Sequence, residues 1–580
     1  MKQSKMNSVI ANIRKAAVSA AAVFAAVSAL SAQSEEFNTG KYLEIQSMIL
    51  RTLQSQYVDT VAMDDLLHKG IDAMLSTLDP YTVFIPEENE EDLDIMTTAS
   101  YGGVGALIRK TPQGYIMIAE PYENSAAVKG GLHPGDTVIA IEGVSTKDLT
   151  ADECSGKMRG RPGTELNLTV VRGRGGDTAA VTVTRERIHI PDVVYYGFLN
   201  DSTGYIQIGG FTVDGSRDVR KAFEALKSDG RMKRLVIDLR GNGGGLMNEA
   251  VNIVSLFVPQ GTLVVSAKGK HPAADFEYRT ETAPVDTLMP LMVMVNSSSA
   301  SSSEIVAGAL QDMDRATIAG VRTYGKGLVQ TIRPVGYNTS LKVTTSKYYT
   351  PSGRCVQAID YSHRNEDGGV GSVPDSLKKA FRTRNGRTVY DGGGITPDIE
   401  VEPRYYSRPV ISLIYSNVLS DYAIKYYNAH DSIAPAGEFS LTDEEYEDFV
   451  KYAVQKEFDA RTEARIAMEE VLEAAGREGL DSSIGGLKEE MDSLLDRMSL
   501  TKEEFLETGK PVIKPLLEDE IALKYYLRRG GAESALRQDV QLHKALELWD
   551  GTIPVQTAGA EKDTPEAGEQ AAEQAGEQAE

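Results

Sequence analysis

The sequence predicts a multidomain α+β chain: an α/β core with a smaller β-rich module inserted ahead of it, helical regions on both flanks, and a disordered acidic tail. Three observations predict it. Between 98 and 186, short apolar runs are separated by Gly/Pro turns about every ten residues, as in a small β-rich module. Between 187 and 407, continuous apolar runs such as Leu291–Val295 (LMVMV) alternate with helical periodicity, the pattern of a sheet covered on both faces. From 408 to 550 the chain is charged and helical. At 580 residues, 41% hydrophobic and 25% charged, it has ordinary globular usage and room for several cores.

Taken in order, residues 1–32 carry Lys2, Lys5, Arg14 and Lys15 before an apolar run from Ala16 to Ala32 that ends in small residues. That is the pattern of a secretory signal, shorter than the ~20 residues a spanning helix needs. The expectation is an exported protein, periplasmic in its setting; the competing reading is an uncleaved membrane anchor. Residues 33–97 read helical, with Leu67, Ile71, Met74 and Leu78 on one face, a stop at Asp79-Pro80, and an exposed acidic stretch at Glu87–Asp94. In 98–186 the expected strands include Ala106–Ile108, Tyr115–Ala119, Thr137–Ile141 and Glu165–Val171. In 187–407 they are Tyr205–Ile208, Leu235–Leu239, Leu263–Val265, Leu291–Val295, Thr317–Ala319 and Leu341–Thr345, with helices over Asp218–Lys227, Leu246–Phe257 and Glu304–Gln311. In 408–550, Thr442 with Glu445 and Thr501 with Glu504 fit capping boxes. From 551 to 580 the repeats AGEQ, AAEQ, AGEQ hold too little apolar bulk for a core.

The net charge is −23. A nucleic-acid binder would carry a basic footprint, so that class is demoted. Removing the first 32 residues leaves 57 basic and 84 acidic residues, net −27. The two cysteines, Cys154 and Cys355, lie in different predicted domains and are expected as free thiols.

Three segments carry candidate chemistry. Asn296–Glu304 (NSSSASSSE) contains six serines. Such a run is usually a linker, yet this one joins a buried-type strand directly to the apolar helix EIVAGAL. A strand-to-helix turn can expose a nucleophilic hydroxyl beside the free N–H groups of a helix start. Gly325-Lys326-Gly327 is either an exposed turn lysine or a base. An amine takes a proton only when neutral, and its ordinary pKa of ~10.4 must then be lowered by burial. The P-loop pattern fails at Val321 and Gly327. Asp238–Gly245 (DLRGNGGG) is a glycine turn after a strand. It misses the dinucleotide fingerprint at Leu246, and serves either tight-turn geometry or backbone N–H groups offered to an oxyanion. The seven histidines are scattered, so neither a metal cluster nor a Ser-His-Asp triad is signalled.

With these residues in view, the chain over 36–407 resembles the C-terminal processing peptidases, also called tail-specific proteases. The resemblance rests on LDPYT (78–82), YGGVG (101–105), GLHPGDTVIAIEG (131–143), SSSEIVAGALQD to YGKGLVQ (301–330), and YYTPSGRCVQ with GGGITPD (348–357, 392–398), in that order. It implies an α/β protease core, 187–407, with an inserted PDZ domain, 98–186. It implies Ser301 as nucleophile, Lys326 as base and Gln330 as the residue orienting the lysine. It places the oxyanion donors at Gly244 or Gly245 and at Ser302. This chain has Gly241-Asn242-Gly243-Gly244-Gly245 where the family turn usually reads Asn-Asn-Pro-Gly-Gly. Ser303 is a rival nucleophile, although an N-cap role suits it better.

The resemblance also implies a PDZ groove in which Gly102, Gly103, Val104 and Gly105 hold a substrate's terminal carboxylate. Ala106, Leu107 and Ile108 would then pair with the peptide and receive an apolar C-terminal residue. No cofactor is expected. The expected partners are protein or peptide substrates with free apolar C-termini, with no nucleic acid. A homo-oligomer contact through the helical regions and an activating partner protein are further expectations. The competing readings are a peptide-binding scaffold with an inactive core, and an esterase using another serine with a histidine.

Overall fold

The computed structural model describes residues 37–270, 275–364 and 369–551; the leader over 1–32 and the tail from 552 onward lie outside them. The chain divides into two compact units, one up to Phe84 and one from Ile85. In the first, helices run over 37–56 and Met63–Leu75. The second of these helices is shorter than the apolar spacing predicts. It ends before Leu78, and Leu67, Met74 and Leu78 all remain exposed, so the predicted stripe does not form a buried face.

The second unit is built on a six-stranded sheet. Its order is Val193–Phe198, Thr203–Ile208, Arg234–Asp238, Leu291–Val295, Thr317–Gly320 and Ile399–Glu400. The first pair is antiparallel and the rest are parallel. Side chains alternate between faces along a strand, and both faces are apolar. Ile206, Leu235, Ile237, Leu291, Val293 and Ile318 pack with the helices Gly215–Ser228, Met247–Ser255 and Ser302–Asp312. Tyr205, Val236, Met292, Met294 and Ala319 pack instead with Leu542, Ala545 and Trp549 of the last described helix, Val540–Gly551. The unbroken run LMVMV is therefore buried at every position. Each predicted strand and helix of the core overlaps an observed one; Leu291–Val295 is matched at both ends, and the others differ at one or both ends.

A second, antiparallel sheet places the long hairpin Leu328–Gly336/Thr339–Tyr349 beside Leu263–Gly269 and Phe276–Arg279. The β-rich module is a third sheet, ordered Ala106–Lys110, Ile116–Pro121, Thr137–Ile141, Glu165–Val171 and Thr178–Thr184. The helix Ala151–Met158 accompanies it, started by a Thr150/Glu153 capping box. The acidic stretch Glu87–Asp94 forms a short 3₁₀ turn and the start of helix Glu90–Thr98, and Glu87, Glu88, Asp92 and Asp94 are exposed as expected. Cys154 and Cys355 are free.

The C-terminal helices have their own core, around Leu413, Tyr422, Phe449, Leu506, Ile513 and Ile521. Both predicted capping boxes form there: Thr442 N–H donates to Glu445 at 2.7 Å and Thr501 N–H to Glu504 at 2.9 Å. These helices also hold the β-rich module. Arg109 pairs with Asp421, and Arg174 pairs with Asp431 at 2.5 Å.

Candidate functional site

Topology assembles the site. The strands Arg234–Asp238, Leu291–Val295 and Thr317–Gly320 are adjacent and parallel, so their C-terminal ends lie side by side. The glycine turn, the serine turn and the Gly-Lys-Gly turn leave those three ends in succession. In parallel α/β sheets this edge is where ligands are met.

The serine turn is stitched to the glycine turn by its own hydroxyls. Ser299 Oγ donates to the Leu239 carbonyl at 2.8 Å, Ser302 Oγ to that of Gly245 at 2.9 Å, and Ser303 Oγ to that of Asn242 at 2.9 Å. Asn242 is fully buried and also receives the Ala300 N–H at 3.1 Å. Three of the six serines are thus structural. Ser303 is one of them, and the N-cap position expected for it belongs to Ser301. Ser301 has φ 55° and ψ −114°, a conformation a side-chain-bearing residue rarely adopts. Such strain accompanies a nucleophile presented on a sharp strand-to-helix turn.

Gly244 makes room for that turn. Its φ is +102°, and a Cβ on it would stand 2.8 Å from the Ser301 Cβ and 3.0 Å from the Ser302 nitrogen. Its N–H donates to Asn242 Oδ1 at 2.9 Å, so it is engaged within the turn. Gly245 and the first helical residue, Ser302, are the other two predicted donors. Amides at a helix start have no acceptor in their own helix.

A buried carboxylate given no role by the sequence ties the serine and lysine turns together. Glu304 Oε2 accepts the Ser301 N–H at 2.9 Å and the Lys326 N–H at 2.8 Å. Its Oε1 accepts the Gly325 N–H at 2.7 Å and the Thr323 hydroxyl at 2.6 Å. Burial pushes this carboxyl up, and the four donors oppose that rise. Tyr348, also unassigned by the sequence, makes a second tie. Its buried hydroxyl donates to the Ser301 carbonyl at 3.2 Å, while its N–H donates to the Gly327 carbonyl at 3.0 Å. Burial holds the phenol well above its ordinary value, so it stays a donor.

The glycines flanking Lys326 serve a close approach by Gln357 and Ala358. Gly325 has φ +86°, and a Cβ there would lie 2.4 Å from the Ala358 Cβ; one on Gly327 would lie 2.7 Å from the Gln357 nitrogen. Gly327 N–H donates to Gln357 Oε1 at 2.7 Å. Lys326 itself is half-buried. Gln330 lies on the hairpin strand that follows, where its Nε2 donates to Thr344 Oγ1 at 3.2 Å.

The predicted peptide-binding residues sit apart from this cluster, on the β-rich module. Gly102 and Gly103 are strand residues paired with Arg187 and Glu186. Only Val104 and Gly105 form the turn. Their carbonyls accept the N–H groups of Ala127 at 2.7 Å and Tyr122 at 2.9 Å. Ala106, Leu107 and Ile108 lie on the edge strand of the sheet, the position from which strand addition starts. Leu107 and Ile108 line a cavity of about 820 Å³ whose far wall includes Leu419, Leu523 and Lys524 of the C-terminal helices.

The model for peptidase family S41 matches residues 202–363, that for the PDZ domain matches 93–171, and that for the C-terminal helical domain of probable PDZ-proteases matches 410–549. A carboxy-terminal-processing protease of Bartonella bacilliformis is 34% identical over 355 residues, 60% of this chain and 81% of that protein. A carboxyl-terminal-processing protease of Synechocystis sp. is 35% identical over 299 residues, 50% of this chain and 69% of that protein. Among solved structures, the photosystem II D1 C-terminal processing protease is 24% identical, covering 63% of this chain and 88% of that one with a TM-score of 0.35.

Proposed function

The chain belongs to peptidase family S41, as a serine protease with a PDZ domain, and on that premise we propose that it is an exported endopeptidase that cleaves protein substrates by a Ser-Lys mechanism after its PDZ domain has captured their C-termini. The observation that carries the reading is the shared oxygen of Glu304. By accepting the amides of both Ser301 and Lys326, it fixes the nucleophile-bearing and base-bearing backbones against one another.

In this mechanism the neutral Lys326 amine removes the Ser301 hydroxyl proton as Oγ attacks the scissile carbonyl carbon. The oxyanion is held by the N–H groups of Gly245 and Ser302. The intermediate collapses, the C–N bond breaks, and the Lys326 ammonium returns its proton to the leaving amine. Water, deprotonated by the same lysine, then cleaves the acyl-enzyme and restores Ser301. Gln330 orients the lysine from the start of the hairpin. The PDZ role assigns substrate selection to the edge strand Ala106–Lys110, with an apolar C-terminal side chain near Ala106, Leu107 and Ile108.

The test is a gel assay on residues 33–580 with an unstructured substrate ending in apolar residues. Cleavage is expected from the wild-type protein and from neither Ser301→Ala nor Lys326→Ala. Cleavage surviving in Ser301→Ala would assign the nucleophile to another residue. Amidating the substrate's C-terminus is expected to slow cleavage; an unchanged rate would remove the PDZ role.

A further inference from the structure

The turn that follows Asp238 carries Arg240, whose side chain spans from Asp238 to the C-terminal helices. Its Nε donates to both carboxylate oxygens of Asp238, at 3.0 and 2.9 Å. Its outer nitrogens reach the C-terminal helical domain. Nη1 donates to Asp539 Oδ1 at 3.2 Å and to Gln541 Oε1 at 3.0 Å, and Nη2 donates to Asp539 Oδ2 at 2.5 Å. Asp539 is itself held, since Oδ1 caps the last described helix by accepting the Leu542 N–H at 2.9 Å. Gln541 is anchored by its Nε2, which donates to the Val401 carbonyl at 2.7 Å. A guanidinium gripped on both sides by carboxylates is fixed in direction as well as position. Arg240 is one residue from the turn's first glycine and five from Gly245.

We infer that Asp539 is a positioning residue for the protease reaction: through its two-pronged contact with Arg240, the C-terminal helical domain sets the glycine turn from which the oxyanion is bound. This rests on the Ser301 and Gly245 assignment above. Asp539 touches no substrate atom; its effect is on the aim of a backbone donor, where a displacement of 1 Å can cost ~10²-fold in rate. The expected signature is a loss in kcat with KM little changed, because the donor acts on the transition state.

The experiment compares Asp539→Asn with Asp550→Asn on a peptide substrate in the mature chain. Asparagine keeps the helix cap while removing the charge and one acceptor. Asp550 lies on the same helix and pairs with Arg234, so its substitution loosens the docking of that helix to the sheet without touching the turn. Asp539→Asn should lower kcat about tenfold or more with KM within about twofold, and Asp550→Asn should leave kcat near wild type. In an Arg240→Ala background, Asp539→Asn should have no further effect on kcat, since coupled residues are not additive. An unchanged kcat, an equal loss in Asp550→Asn, or a full further loss in the Arg240→Ala background would each overturn the inference. Ser301→Ala, assayed alongside, keeps the two readings apart. If it is inactive and Asp539→Asn is unaffected, only the positioning role falls; if it is active, the nucleophile assignment falls first.

Discussion

At Glu304 one buried carboxylate receives four donors from two turns about twenty residues apart. Glutamine has the same shape but turns an NH₂ group toward one pair of those donors. Glu304→Gln is therefore expected to destabilise the protein by about 1–3 kcal/mol, the cost of buried donors left unmade. It should also lower kcat by ~10²-fold as the two turns drift apart. Denaturant unfolding and steady-state kinetics measure the two effects, and near-normal activity would show that the turns are held by Tyr348 alone. The serine turn and the Gly-Lys-Gly turn stood out in the sequence because each is a short motif at a strand end, and the family resemblance singled out Ser301 and Lys326 within them. Glu304 stands in the same motif as Ser301, but its partners Gly325 and Lys326 come from another strand end, and no local pattern announces that meeting. Tyr348 is hidden for the same reason.

At the scale of elements, unbroken apolar runs and helical spacing located the strands and helices of the core, because a sheet covered on both faces buries every position of its strands. The prediction failed where apolar spacing was not matched by burial, as at Met74 and Leu78. The helix Lys510–Arg537 shows a further feature that spacing does not reveal, which is charge turned inward. Asp519 lines the cavity shared with Arg240 and Asp539, and burial pushes its carboxyl up to about 6, with Glu518 and Glu520 adding to the rise and Arg537 opposing it. An acid raised by folding holds its proton more tightly folded than unfolded. Its contribution to stability is thus present below about pH 4 and lost as the pH rises through about 6. Asp519→Asn removes that dependence. Relative to wild type, the variant should gain about 2 to 3 kcal/mol between pH 4 and pH 8. Urea unfolding at the two pH values checks this, and a difference that does not change with pH would mean that Asp519 is ionised equally in both states.

For the whole molecule, what the sequence left undecided is how its domains dock. The composition of 408–550 fitted either an oligomer contact or packing on the core, and the final helix does the second. It covers one face of the central sheet, with Leu542, Ala545 and Trp549 set against Val236, Met292 and Met294. The consequence is that the helical domain is part of the protease core's own fold, and the glycine turn, the sheet and the last helix should unfold together. Trp549 is the single tryptophan of the chain, it is buried, and the Arg234 guanidinium lies 5.1 Å from its ring centre. Its emission therefore reports the docking of that helix. Leu542 is fully buried, and Leu542→Ala should cost about 2–5 kcal/mol through lost burial and the cavity left behind. If the sheet needs both covers, tryptophan emission and far-UV circular dichroism should shift to lower denaturant by the same amount and remain coincident. If emission changes first while the dichroism holds, the helix is a detachable cover, and the sheet is stable with Met292 and Met294 in water.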